Sequence, residues 1–247
     1  MSSTIFHISD THLGYRNRSH PDGHGDTTGI EEANSVQAFD KIIRDAIKEN
    51  VDAVIHTGDL FDHHVDQGTL DIVTATIGDL WAHNIPFYFI LGDHDRPTVS
   101  KNSPLGVGTI HALEKLISSG KVVHANTKGN LISGTNVAVF GCDATGVGFE
   151  EIHNGYSLTE WSLDDLQLEP VATARFNILC LHEPANKIDI NLEDLLIRAE
   201  KKGNHIDLVL LGHEHRPRFD SKWRKTLRNT EVVYAGPTIP ISSYALP

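Results

Sequence analysis

Only two of the 247 residues are cysteine, Cys142 and Cys180, and only one is methionine. Both cysteines sit inside apolar runs, "VAVFGCD" and "FNILCLH". They read as buried thiols, which excludes a disulfide framework or a zinc knuckle. Basic residues are also scarce. Twenty-one Lys and Arg against 33 Asp and Glu leave a formal net charge of −12. Bulk attraction to nucleic acid is therefore not expected, and any phosphate-bearing substrate has to be drawn by local basic patches or by metal ions. No apolar run approaches the length needed to cross a bilayer, and "MSSTIFHIS" has no basic start and is too short for a signal peptide. These absences predict a soluble, cytoplasmic protein with no membrane partner. With 39% hydrophobic and 22% charged residues, the chain supports a single α/β domain over 1–247 with a sizeable core.

Short apolar runs alternate with longer periodic stretches. Residues 4–9, 52–58, 86–92, 136–141, 175–182, 207–213 and 231–236 read as strands, with a further short run at "KVVHA". Residues 30–50 carry Val36, Phe39, Ile42, Ile43, Ala46 and Ile47 at helical spacing, and 67–83, 109–119 and 192–203 read as helices too. The polar stretch 17–29, rich in turn formers, reads as a loop. Strand–helix alternation of this kind predicts stacked layers of helix and sheet.

Histidine is abundant, with sixteen in the chain. It is both a frequent metal ligand and the side chain that titrates near neutral pH. Five strand ends carry carboxylates or imidazoles: Asp10 and His12 in "ISDTH", Asp59 and Asp62 in "HTGDLFD", Asp93, His94 and Asp95 in "GDHD", His182 in "CLHE", and His213 and His215 in "LLGHEH". Taken singly, each is an ordinary polar turn or a solvated pair. Taken together they form a ligand set at the rim where α/β sheets bind their ligands. Two divalent ions close together need a carboxylate between them, imidazole and oxygen donors around them, and an open position. Such a pair brings a bound water towards hydroxide near neutral pH, and that hydroxide can attack a phosphodiester in line.

DxH, GDxxD, GDHD in the place of GNH(D/E), a lone His and GHxH, in this order, resemble the signature of the calcineurin-like metallophosphoesterases, across nearly the whole chain. The resemblance implies a layered α/β/β/α sandwich with a dimetal site at strand C-terminal ends. By matching positions it implies Asp10, His12, Asp59 and His215 around one ion, with Asp59 bridging, and Asp93, His182 and His213 around the other. His94 would be the catalytic histidine, with Asp95 orienting it, while Asp62 would support the site. Within that family, "ISDTHLGYRNR", "DAVIHTGDLFD", "IPFYFILGDHDRP", "ILCLHEPAN", "DLVLLGHEHRP" and "VVYAGPT" look like the SbcD-type DNA double-strand-break repair exonucleases. That branch implies two Mn2+ ions, DNA as substrate, an SMC-like ATPase partner and a homodimer. The sequence departs from the pattern in three ways. Position 93 is aspartate where the family has asparagine, residue 62 is aspartate where the archaeal nucleases have histidine, and the capping and ATPase-binding segments are not evident.

"RPRFDSKWRKTLR" (216–228) holds six basic residues and one acidic one, with Trp223 among them. It reads either as a phosphate-tracking edge beside the site or as a solvated hairpin linking two strands. Arg16, Arg96, Arg216, Arg224 and Lys225 are the candidate substrate contacts. Two rival functions stand beside a DNA nuclease: a phosphodiesterase or phosphatase acting on small phosphoesters such as cyclic nucleotides, and a non-catalytic scaffold that keeps the fold.

Overall fold

The computed structural model describes residues 2–14, 28–62, 65–95, 116–144, 150–152, 155–157, 167–183, 185–215 and 224–238. Their elements, in chain order, are β1 (Ile5–Ile8), α1 (Thr28–Lys48), β2 (Ala53–Thr57), α2 (Gln67–Ala82), β3 (Phe87–Ile90), β4 (Val122–His124), β5 (Asn130–Leu131), β6 (Val137–Cys142), β7 (Glu150–Ile152), β8 (Gly155–Ser157), β9 (Phe176–His182), α3 (Ala185–Lys201), β10 (Leu208–Gly212), β11 (Arg224–Leu227) and β12 (Thr230–Tyr234).

The strands form two main sheets. The first is β1-β2-β3-β4, parallel throughout. The second is β11-β12-β10-β9-β6-β5, parallel from β12 to β6 and closed by antiparallel edge strands. Parallel strands covered on both faces need apolar side chains on both, which is why their sequences are nearly continuous hydrophobic runs. Successive side chains then serve different cores. Val54, Phe87 and Phe89 face the core under α1 and α2, while Ile55, Tyr88 and Ile90 face the second sheet. Ile178, Cys180 and Leu210 meet them from that sheet. On its far face, Leu179, Leu181, Val209 and Leu211 pack against Leu192, Leu195, Leu196 and Ala199 of α3. The order of layers is therefore helix, sheet, sheet, helix, the predicted sandwich.

Helical spacing accounts for the outer layers. Phe39, Ile43 and Ala46 give α1 one buried stripe, and Leu70, Val73, Ile77 and Leu80 do the same for α2. Asp66 caps α2 by accepting from Thr69 N at 3.0 Å. α3 begins at Ala185, seven residues before the predicted stretch, and its described buried side chains are Leu192, Leu195, Leu196 and Ala199. The predicted helix 109–119 is described only from 116, where it is helical, and the predicted loop 17–29 lies largely outside the described residues. The cysteines are buried and unpaired. Cys180 stands opposite Gly141, one residue out of step with Cys142, so the two thiols point into different cores.

Candidate metal centre

The loops after β1 and β2 run side by side. Asp10 N donates to Gly58 O, His12 N to Asp59 O and Leu13 N to Leu60 O, each at 3.0 Å. This places Asp10, His12, Asp59 and Asp62 on one rim. Asp10, His12, Asp59 and His213 all take positive φ, from 42° to 84°. Backbone of this kind is uncommon outside glycine and concentrates at functional sites. Gly92 is needed for close approach: a Cβ there would lie 2.0 Å from Asp59 Oδ1. Gly58 has φ +95°, and a Cβ on it would meet His182 Nδ1 at 2.3 Å.

Two groups of donors converge across the seam between the sheets. The first is Asp10, His12, Asp59 and His215, and the second is Asp93, His182 and His213. In the first, His12 Nε2 lies 3.2 Å from His215 Nε2 and 3.4 Å from Asp59 Oδ2, and His215 Nε2 lies 3.2 Å from Asp10 Oδ1. In the second, Asp93 Oδ1 is 3.1 Å from both His182 Nε2 and His213 Nδ1. Asp59 joins the two groups, since its Oδ2 is also 3.3 Å from His182 Nε2. The first sheet supplies Asp10, His12, Asp59 and Asp93, and the second supplies His182, His213 and His215.

The donors fit divalent cations. Asp59 Oδ1 accepts from His94 N at 2.8 Å, but Oδ2 is buried with no hydrogen-bond partner, aimed between the two groups. A buried carboxylate oxygen left this way needs a compensating charge. His182 Nδ1 donates to Thr57 O at 2.7 Å, which fixes the tautomer and turns Nε2 toward Asp59 and Asp93. A backbone carbonyl behind an imidazole is the usual support of a metal-ligating histidine. Electrostatics agree. Burial opposes ionisation of Asp10 and Asp93, yet the neighbouring imidazoles hold both carboxyls far below the ordinary range. Burial likewise opposes charge on His182, and Asp59, Asp93 and Asp10 outweigh it and raise its pKa well above the ordinary value.

His94 stands beside these groups, its ring 4.5 Å from that of His12. Its Nδ1 lies 2.9 Å from Asp62 Oδ1. Partial burial disfavours its charge, but the Asp62 hydrogen bond and the carboxylates of Asp59, Asp93 and Asp62 prevail and raise it to about 9. The orienting carboxylate is therefore Asp62, not Asp95 as the motif order predicts. Asp95 has turned inward. It is 1% exposed and accepts from the backbone N–H of Asp59, Phe61 and Gly92 at 2.9–3.1 Å, and of Leu60 at 3.4 Å. Burial and the charge of Asp59 push its carboxyl up to about 7 against those donors. Asp95 thus ties the second and third loops together.

Sequence reading missed a further support. Asp143 Oδ1 accepts from Leu91 N and meets His124 Nε2, both at 2.8 Å, and so pins the start of the "GDHD" loop. The one signal in the sequence was its position, directly after strand β6. Of the candidate substrate contacts, Arg224 and Lys225 lie on β11, the edge strand of the second sheet, so at least this end of the basic stretch is hairpin. Arg16, Arg96, Arg216 and Trp223 lie outside the described residues.

A phosphoesterase-type fold with two donor groups sharing one aspartate defines the class. The chain belongs to the calcineurin-like phosphoesterase family, whose model matches residues 3–217, and its two donor groups could each hold a metal ion. Within that family it is similar to archaeal proteins named DNA double-strand break repair protein Mre11. The Halobacterium salinarum protein is 28% identical over 95% of this chain and 51% of its own length, and the Sulfurisphaera tokodaii protein is 42% identical over 39% of this chain and 24% of its own. The chain thus spans about half the length of the first of these relatives and a quarter of the second. Among solved structures it resembles the protein TT1561 of Thermus thermophilus (TM-score 0.53, 12% identity, 96% of this chain and 91% of that one) and a dimetal phosphatase from Danio rerio (TM-score 0.52, 14% identity, 96% and 88%). Both share the fold. No helix among the described residues is long and apolar enough to cross a membrane.

Proposed function

We propose that this chain is the nuclease core of a DNA-processing enzyme, a dinuclear, manganese-dependent phosphodiesterase that acts on DNA ends in repair. The observation that carries the site reading is Asp59 Oδ2, buried and without a hydrogen-bond partner between two donor groups. The DNA substrate rests on the similarity to the Mre11 proteins. Asp10, His12, Asp59 and His215 would hold one ion, and Asp93, His182 and His213, with Asp59 shared, the other. Such ions supply Lewis acidity for phosphoryl oxygens and a water of lowered pKa as nucleophile. Mixed imidazole and carboxylate donors suit manganese better than magnesium.

The chain's own groups do the rest. Asp62 holds His94 Nδ1, so the imidazolium presents Nε2–H as its remaining donor. In that form the proton can neutralise a phosphoryl oxygen or pass to the leaving oxygen. Arg224 and Lys225 on the edge strand, with Arg16, Arg96 and Arg216, would follow the phosphate backbone. An SMC-like ATPase partner and a homodimer belong to the same reading, as does a single metallophosphoesterase domain built around one rim.

The test offers linear duplex DNA, single-stranded DNA, a cyclic nucleotide and an aryl phosphodiester in parallel, with and without manganese. Manganese-dependent cleavage of DNA, abolished by chelation, is the expected result. Cleavage of the cyclic nucleotide or aryl diester with DNA untouched overturns the substrate assignment and favours a small-molecule phosphodiesterase. No hydrolysis of any of them overturns the catalytic reading in favour of a scaffold.

A further inference from the structure

The two donor groups match in composition. One ion would face Asp10, His12, His215 and the shared Asp59, and the other Asp93, His182, His213 and the same Asp59. Each set holds two imidazoles, one carboxylate of its own and a half share of another. An amide at position 93 would remove that balance, leaving the second set without a charge of its own. The sets differ in exposure: in the first only His215 is partly open, its side chain 28% exposed, whereas in the second His182 is buried and the side chains of Asp93 and His213 are 36% and 35% exposed. Without the Asp93 carboxylate, the second set would be both the more open and the less charged.

We infer that Asp93 is a metal-retention residue. Its charge offsets the openness of the second set, so that both ions load with comparable affinity. This rests on the dimetal reading above. A unit charge ~4 Å from a divalent ion is worth at most on the order of a millionfold in affinity at an effective dielectric near 20. Desolvation of the carboxylate and its partial exposure offset most of that, which leaves an expected effect of roughly ten- to a hundredfold.

The experiment titrates chelator-stripped wild-type protein and Asp93→Asn with MnCl2, following heat of binding and the manganese spin-resonance spectrum. The variant keeps shape and reach, and circular dichroism checks its fold. Wild type is expected to bind two ions with dissociation constants within about tenfold of each other. Coupled ion pairs should already be present at one equivalent, because comparable sites fill together. Asp93→Asn should keep one ion at the wild-type constant and bind the second at least tenfold more weakly. Unchanged constants in Asp93→Asn overturn the inference, as does strictly sequential filling of the wild type, whether or not the variant folds. Both of those results leave two bound ions and so spare the dimetal reading. A wild type that binds fewer than two ions overturns that reading, and the inference with it.

Discussion

His56 makes a quantitative case for acid lability. It lies on β2 beneath the metal centre, 0% exposed, with Nε2 3.0 Å from Thr11 Oγ1. Thr11 has one hydroxyl proton, and it goes to Leu60 O at 2.9 Å. Thr11 must therefore accept from His56 Nε2–H, which leaves Nδ1 as the unprotonated nitrogen. Nδ1 is buried and has no hydrogen-bond partner, so adding a proton there creates an unpaired buried charge. Burial pushes the pKa down from 6.5 to about 3, against the pull of Asp10 and Asp59. A depressed imidazole contributes nothing above its unfolded pKa. As pH falls below it, the unfolded chain takes up a proton that the folded chain refuses, and stability is lost. Two pH units below 6.5, at about pH 4.5, the loss is ~2.7 kcal/mol, a large share of a typical stability of ~5–15 kcal/mol. His56→Gln retains a donor for Thr11 and cannot titrate. Urea unfolding of both proteins, with chelator present, should show the variant gaining on wild type by ~2–3 kcal/mol between about pH 7.5 and 4.5. A stability difference that stays flat over that range would refute the reasoning.

Replacing His94 with alanine should cost roughly a hundredfold or more in turnover while the protein still binds two ions, measured by hydrolysis and metal content together. Asp62→Asn should move the His94 pKa down from about 9, followed by NMR on metal-stripped protein. Because that pKa is raised, its stabilising contribution is complete below 6.5 and is lost as pH rises through 9, and the variant should flatten this alkaline loss. Asp95→Asn should lower unfolding free energy by ~2–3 kcal/mol or more, since an amide places N–H groups against backbone donors, while the His94 pKa stays raised. Reversing Arg224 and Lys225 to glutamate should weaken DNA binding and flatten its salt dependence, with hydrolysis of an aryl diester spared.

The parts of the fold legible in sequence are those where one residue type serves one purpose. Doubly covered strands such as "DLVLLGH" must be apolar on both faces, and α1 shows its stripe directly. The start of α3 was missed although Ile188 stands four residues before Leu192, in step with the stripe, because Asn186, Lys187, Asp189 and Asn191 around it are polar. The two-residue β5 and the edge strand β11 escaped for a similar reason: neither carries an apolar run long enough to mark it. In the site, the donors that converge could be picked out because carboxylate and imidazole are the side chains that suit a divalent ion. Asp62 and Asp95 could not be told apart, since either carboxylate can orient an imidazole, and only the fold decides which one faces the ring and which one faces backbone amides. Asp143 acts through a backbone amide on another loop, and spacing carries no trace of that.

The donors' division between two sheets also fixes when the centre can come into being. His213 N reaches Asp10 across 203 positions of chain, and His215 reaches the same carboxylate across 205. Loops of that length close only after the intervening elements have docked. During synthesis the first sheet emerges complete with its carboxylates, but no second group exists until β9 and β10 have been made and laid against it. The first half of the chain therefore carries the acidic residues of the centre without its full chemistry, and catalytic competence arrives as a late event of folding.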